Sequence, residues 1–106
     1  MVKRFDIWLI NLDPTLGSEV QKKRPCLIVS PDEMNKYLNT VIVIPLTSTR
    51  KDYPTRVNCV FQDKNGQIAI DQMRSLDKSR LLQKLGTMDK PTCKKVSDLI
   101  IETFQF

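Results

Sequence analysis

The chain has 106 residues, with 17 Lys and Arg against 12 Asp and Glu, and its net charge at pH 7 is +5. With 41% hydrophobic and 27% charged residues, the composition predicts one folded domain over residues 1–106 and excludes a disordered chain. The chain contains no histidine, which removes the commonest general acid–base and the commonest metal ligand.

Three further features narrow the class of protein. No apolar run approaches the length that spans a bilayer, and the N-terminus lacks the pattern of an export signal, so we expect a cytoplasmic protein with no membrane partner. Cys26, Cys59 and Cys93 are odd in number and widely spaced, and they predict neither a disulfide framework nor a zinc site. The excess of cations favours an anionic partner such as nucleic acid or an acidic peptide.

The first predicted element is a strand from Phe5 to Leu12, which is apolar at most positions and therefore buried on much of both faces. Asp13-Pro14 ends it. The polar stretch from Thr15 to Lys23 is then either a solvated hairpin loop or a mobile flap beside Arg24.

An Arg-Pro step introduces the second strand, from Cys26 to Val29. Pro25 fixes its own φ and keeps Arg24 out of the helical region, so the backbone there is extended and stiff. A guanidinium is thus placed at the start of a core strand. Arg24 is either a surface arginine beside a turn or a functional group.

A short helix is predicted next, from Pro31 to about Leu38. Ser30 is the expected N-cap, Pro31 occupies the first helical position, and Glu33 completes a capping box.

The stretch from Thr40 to Leu46 is β-branched and apolar on both faces, which predicts a central strand. Pro45 lacks a donor and is expected at the end of the strand or at an edge. The residues that follow, Thr47 to Lys51, supply three hydroxyls and two cations. They form either a phosphate-contacting loop or an ordinary polar turn.

Two strands, Arg56 to Phe61 and Gln67 to Gln72, flank Asn65-Gly66, which is the strongest short hairpin signal in the chain. In the returning strand, Asp71 shares a face with the small Ala69. This carboxylate is either plain solvated surface or a catalytic or orienting group.

The last predicted strand runs from Arg80 to Leu85 and ends at Gly86, and a C-terminal helix follows from Asp89 to Phe104. Asp89 caps this helix and Pro91 fits its first turn. Its apolar stripe faces the core or a partner subunit and consists of Val96, Leu99, Ile100 and Phe104. The order β-β-α-β-β-β-β-α favours a small, mainly β barrel with helices that close it or pack outside it.

Five segments follow one another along nearly the whole chain: DIWLINLDPTLGSE from Asp6 to Glu19, RPCLIVS from Arg24 to Ser30, VIPLTS from Val43 to Ser48, YPTRV from Tyr53 to Val57, and IDQMRSLD from Ile70 to Asp77. In this order they resemble the MazF/PemK family, the mRNA endoribonuclease toxins of type II toxin–antitoxin pairs.

The resemblance implies an SH3-like barrel of the MazF/PemK/CcdB type, with a short helix after strand two and a C-terminal helix. It also implies a homodimer, an antitoxin with an acidic or amphipathic tail, and ribosome-independent, sequence-selective cleavage of single-stranded mRNA without metal or cofactor. The catalytic positions of the family fall on Arg24, Thr47 and Asp71.

The expected RNA-binding residues come from the matched segments and from the cations beside them. They are Glu19, Lys22, Lys23, Ser48, Arg50, Arg56, Gln72 and Arg74. Two departures from the family pattern stand out. Some relatives have a second arginine where this chain has Ala69, and many have glycine and glutamine where this chain has Val20 to Lys23.

The chemistry of RNA cleavage fits this set of residues. The substrate's own 2′-hydroxyl is the nucleophile, so the protein mainly positions the phosphate and stabilises its charge. A planar guanidinium suits the phosphate oxygens, and a threonine hydroxyl can hydrogen-bond the scissile phosphate. A different class of function stays open at this point, because SH3-like barrels also occur as non-catalytic modules that bind protein or nucleic-acid targets such as a topoisomerase.

Overall fold

The computed structural model of the chain describes residues 1–12 and 23–106. These residues form strands β1 (Asp6–Asn11), β2 (Lys23–Ile28), β3 (Thr40–Thr47), β4 (Arg56–Phe61), β5 (Lys64–Ala69), β6 (Arg74–Asp77) and β7 (Leu81–Thr87), and helices α1 (Asp32–Tyr37) and α2 (Lys90–Phe104). Short 3₁₀ turns span Ile70–Gln72 and Lys78–Arg80. In the parts of the chain described, no helix combines the length and the apolar character that crossing a membrane requires.

One strand, β3, organises the sheet. The strand order is β4-β5-β3-β2-β1-β7, every pairing is antiparallel, and β6 pairs with β3 in addition. Because β3 pairs with β6, β2 and β5 along successive parts of its length, the sheet curls into a half-barrel. The mainly β fold with a C-terminal helix, and the central place of the third strand, are therefore confirmed.

Strands β1, β2 and β3 carry buried side chains on both faces. One face packs on α2 in a cluster that includes Ile7, Leu27, Ile44, Ile68 and Val96. The other face forms a second cluster that includes Ile10, Cys26, Ile28, Val41, Val43 and Leu76. The alternation along β2 shows the pattern directly, since Leu27 belongs to the first cluster and its two neighbours to the second.

Helix α2 covers the first cluster, and its predicted start is confirmed. The Asp89 side chain accepts a hydrogen bond from the Thr92 backbone N–H at 3.0 Å, and a proline lies in the first turn. Val96 is buried, whereas Phe104 is 71% exposed. The apolar stripe therefore packs on the core in its first half and reaches solvent at its end.

The predicted capping box of α1 is wrong. The N-cap is Pro31 and no side chain caps the helix. Ser30 is buried instead, and its hydroxyl donates to Asn35 Oδ1 and accepts the Ile42 N–H at 3.0 Å. Asn35 Nδ2 also donates to the Ser30 carbonyl at 2.9 Å. Ser30 therefore links α1 to β3 and does not cap the helix.

The predicted hairpin turn is also wrong. The two turn residues are Gln62 and Asp63, whose φ angles of 52° and 61° make the tight turn that matches strand twist. Asn65 and Gly66 lie within β5. A side chain at Gly66 would place a Cβ 3.0 Å from the Thr47 carbonyl oxygen, so this glycine serves a close approach of two strands.

The later part of the chain departs from the prediction as well. Strand β5 ends at Ala69, so Asp71 lies in a 3₁₀ turn and does not share a strand face with Ala69. Strand β6 was not predicted, because its sequence is mostly polar and charged. It is a strand because its backbone pairs with β3. Gly86 lies inside β7 and does not end it.

We expect Ser30→Ala to lower the free energy of unfolding by about 1–3 kcal/mol, because it leaves the Ile42 N–H and the Asn35 oxygen without their buried partner. Urea unfolding followed by circular dichroism measures the change. Ser75→Ala removes an exposed hydroxyl and is the matched control. Equal stability of the two variants would contradict the structural role of Ser30.

Candidate functional site

The position of Arg24 follows from where two ladders end. Strand β2 pairs with β1 along its length, including Ile10↔Arg24, but it pairs with β3 only from Cys26↔Pro45 onward. Pro25 lacks the backbone donor that would extend this second ladder. The strand thus begins at Lys23, earlier than predicted, and Arg24 lies where one edge of β2 is open.

Beyond Pro45, β3 changes partner and pairs with β5 through Leu46↔Ile68 and Thr47↔Gln67. Pro45 is therefore inside the strand and not at its end. The separation of β2 from β3 leaves a cavity of about 270 Å³, which we call the Arg24–Thr47 cavity. Its polar lining includes Arg24, Thr47, Ser48, Gln62, Lys64 and Asn65, and its apolar lining includes Pro25, Leu46, Cys59 and Phe61.

The cavity offers a cation and a hydroxyl to a ligand. No carboxylate of the described residues lies within ion-pair distance of the half-buried Arg24 guanidinium. Thr47 Oγ1 accepts the Thr49 N–H at 3.1 Å, which leaves its own proton to be donated. Such a site suits an anion with several oxygen acceptors.

Arg24 also acts on a thiol in the second core cluster. The Cys26 thiol is hydrogen-bonded to the Arg24 carbonyl at 3.6 Å. Burial raises the pKa of Cys26 to about 12, while the charges of Arg24 and Arg74 act in the opposite direction. Cys26 therefore stays a neutral core residue at physiological pH, and the two guanidiniums contribute positive potential on the same side of the sheet.

Asp71 lies outside this cavity and is already paired. Arg56 Nε donates to its Oδ1 at 2.9 Å and Nη2 donates to its Oδ2 at 3.3 Å, while the Thr55 hydroxyl adds a bond of 3.0 Å. The Arg56 hydrogen bonds are the main cause that lowers the pKa of the Asp71 carboxyl. The Arg56 guanidinium lies 5.2 Å from the Tyr53 ring centroid, and the Arg56 side chain is only 6% exposed. The two arginines thus differ, since Arg24 is available to a ligand and Arg56 is neutralised.

The other predicted RNA-binding residues fall in three places. Ser48 lines the cavity with Thr47, and Arg50 lines the neighbouring clefts beside Asn58. Exposed positions elsewhere on the described surface are occupied by Lys23, Gln72 and Arg74. Glu19, Lys22 and most of the predicted loop from Thr15 to Lys23 lie outside the described residues.

Sequence reasoning missed the contribution of the β4–β5 hairpin. Gln62 and Lys64 reach the cavity because the turn lies at Gln62-Asp63, three residues before the predicted turn. Only the correct turn position would have identified Lys64 as a second cation at this site.

Comparisons with known proteins show the family of the chain. A family model described as PemK-like, MazF-like toxin of type II toxin–antitoxin system matches residues 3–104. The endoribonuclease MazF of Staphylococcus saprophyticus is 37% identical over 106 residues, which cover 94% of this chain and 88% of that protein.

Solved structures share the fold. A crystal structure of MazF from Deinococcus radiodurans has a TM-score of 0.82 at 25% identity and covers 99% of this chain and 97% of its own. An endoribonuclease in complex with its cognate antitoxin, from a Mycobacterial species, has a TM-score of 0.81 at 26% identity, with 96% and 93% covered.

We expect Asp71→Asn to lower the free energy of unfolding at pH 7 by about 1 kcal/mol, a value discounted for solvent screening. The pKa of Asp71 is lowered in the folded state, so its contribution is complete above the unfolded pKa of about 4 and is lost as the pH falls through the folded value. Urea unfolding from pH 7 down to pH 3 should show wild type and variant converging.

Asp52→Asn is the control, since Asp52 is exposed and makes no hydrogen bond or ion pair within residues 1–12 and 23–106. A stability difference between wild type and Asp71→Asn that is independent of pH would contradict the ion-pair explanation.

Proposed function

The chain belongs to the PemK-like, MazF-like toxins of type II toxin–antitoxin systems, and we propose that it is an endoribonuclease that cleaves single-stranded mRNA. The proposal includes sequence-selective cleavage that needs neither the ribosome nor a metal and that uses the substrate's 2′-hydroxyl. The observation that carries it is the Arg24 guanidinium, which has no ion-pair partner within residues 1–12 and 23–106 and lines one cavity together with Thr47.

In the proposed reaction the 2′-oxygen forms a bond to phosphorus and the bond from phosphorus to the 5′-oxygen breaks. The 2′-hydroxyl proton is lost and a proton is delivered to the leaving 5′-oxygen. The products are a 2′,3′-cyclic phosphate, or the 3′-phosphate from its opening, and a 5′-hydroxyl. Negative charge grows on the phosphate oxygens between these states, and this charge is what the protein must stabilise.

Arg24 and Thr47 divide this task. The guanidinium of Arg24 holds two phosphate oxygens with parallel hydrogen bonds, and its main role is to stabilise the negative charge that grows on them. The Thr47 hydroxyl donates to the scissile phosphate. Asp71 is a weaker general base than a free carboxylate, because its pKa is lowered by Arg56. Lys64 adds positive charge at the hairpin side of the cavity.

The rest of the RNA follows the cationic surface around this cavity. We assign RNA contacts on this surface to Lys23, Ser48, Arg50, Arg56, Gln72 and Arg74. From the sequence alone we add Glu19 and Lys22, which lie outside the described residues. Arg50 contributes more than Arg56, because the charge of Arg56 is already balanced by Asp71.

The proposed partners follow from family membership. One solved relative is in complex with its cognate antitoxin. We propose that this chain forms a homodimer and that an antitoxin with an acidic or amphipathic tail competes with RNA for the same cationic groove. Both ligands complement the net charge of +5.

We expect Arg24→Lys to lose roughly 100-fold or more in single-turnover cleavage, about 2.7 kcal/mol in activation free energy. Lysine keeps the charge but cannot hold two oxygens in a fixed geometry. RNA affinity should change only a few-fold, because other cations supply the long-range attraction. Cleavage of a defined RNA and its binding are measured in parallel.

Arg4→Lys makes the same change at an exposed arginine outside the cavity and is the control. Thr47→Ala should be impaired less than Arg24→Ala, because it removes one neutral hydrogen bond. An Arg24→Lys protein that cuts at the wild-type rate would remove Arg24 from the catalytic role.

We expect cleavage to proceed in the presence of a chelator and to stop when the nucleotide 5′ to the cut carries no 2′-hydroxyl. Mass spectrometry of the fragments should find cyclic phosphate or 3′-phosphate ends and 5′-hydroxyl ends. Efficient cleavage of the 2′-deoxy substrate would contradict attack by the 2′-hydroxyl. RNA that is shifted in a gel but stays intact would favour a non-catalytic binding module.

A further inference from the structure

A buried glutamine joins the β3–β4 loop to the sheet. Gln67 is 5% exposed and lies directly opposite Thr47 in the β3–β5 ladder. Its Oε1 accepts the Lys51 N–H, and its Nε2 donates to the Lys51 carbonyl and to Asn58 Oδ1, all at 3.1 Å. Both amide protons of the side chain are therefore used.

This arrangement resembles a one-residue β-bridge made by a side chain, which we call the Gln67 clamp. The clamp fixes both backbone polar groups of Lys51, only four positions after Thr47. The stretch between Thr47 and Lys51 is thus held at both ends, by the β5 ladder at one end and by the clamp at the other. Ser48 and Arg50 lie in that stretch.

We propose that Gln67 is a positioning residue for RNA binding by the function proposed above, on which this inference rests. The clamp holds the loop in the conformation that presents Ser48 and Arg50 to the phosphates beside the Arg24–Thr47 cavity. Without the clamp, the loop must become ordered each time RNA binds. The loss of conformational entropy then makes the binding free energy less favourable.

The clamp is separable from the stability of the fold. Lys51 is exposed, so its peptide groups can hydrogen-bond water when the clamp is removed. Gln67→Met keeps the unbranched shape at this buried position and deletes all three hydrogen bonds. Its effect should therefore be found in the loop more than in global unfolding.

The first measurement reads the loop without any RNA. Hydrogen exchange at the Lys51 amide should become at least about 10-fold faster in Gln67→Met, and limited trypsin digestion should cut faster after Arg50 and Lys51. Asn58→Ala removes one of the three bonds at an exposed residue and should give an intermediate effect, so it keeps the test valid if Gln67→Met folds poorly.

The second measurement separates binding from chemistry in single-turnover cleavage. Gln67→Met should raise the half-saturating enzyme concentration about 10-fold and leave the rate at saturation within about 2-fold. This split is opposite to the one expected for Arg24→Lys. Loss of folded protein would also raise the half-saturating concentration, so circular dichroism under the assay conditions should show that Gln67→Met is as fully folded as wild type. Gln83→Met, at an exposed glutamine on β7, should change neither value.

If hydrogen exchange at the Lys51 amide is unchanged in Gln67→Met, Gln67 does not hold the loop. A loosened loop with a wild-type half-saturating concentration would overturn its role in RNA binding, as would a loss confined to the saturated rate. If wild type itself cuts no RNA, the proposed function fails, while the exchange measurement still decides whether the clamp holds the loop.

Discussion

The structure depends on the point at which β3 leaves β2 and joins β5. Cys26↔Pro45 is the last pair of the β2–β3 ladder, and Pro25, which precedes Cys26, cannot donate the hydrogen bond that would continue it. The sheet therefore opens there without stranding buried donors. The opening places Arg24 on one wall of a cavity and Thr47 on the other, with the β4–β5 hairpin beside them.

Arg24 and Arg56 differ in whether a carboxylate of the described residues already balances their charge. The Arg56 side chain is almost fully buried, its Nε and Nη2 donate to the two oxygens of Asp71, and its guanidinium lies over the Tyr53 ring. Its main effect is to join the start of β4 to the turn after β5. Among the residues that the structure describes, Arg24 is held through its backbone, and its guanidinium is available to a ligand.

The sequence predicted most elements whose signal is local and missed those decided by distant contacts. Hydrophobic runs identified β1, β3 and α2, and the Asp89 cap was correct because it depends on neighbours only three residues apart. Asn65-Gly66 was misread, because the glycine is required by the Thr47 carbonyl of another strand. Ser30 was misread for the same reason, since its partners lie in α1 and β3. Motif resemblance predicted Arg24 and Thr47 as site residues. Lys64 and Gln67 reach the site through the register of the strands, and short sequence segments do not reveal that register.

The buried thiols have a practical consequence for studying motion in this molecule. Cys26, Cys59 and Cys93 are all free and buried, and burial raises the pKa of each one. Because the thiolate is the reactive species, the three native thiols should react only slowly with maleimide dyes near neutral pH. A single cysteine introduced on the exposed β3–β4 loop can then carry a fluorophore or spin label in the otherwise unaltered chain, with no need for a cysteine-free background that would disturb the core.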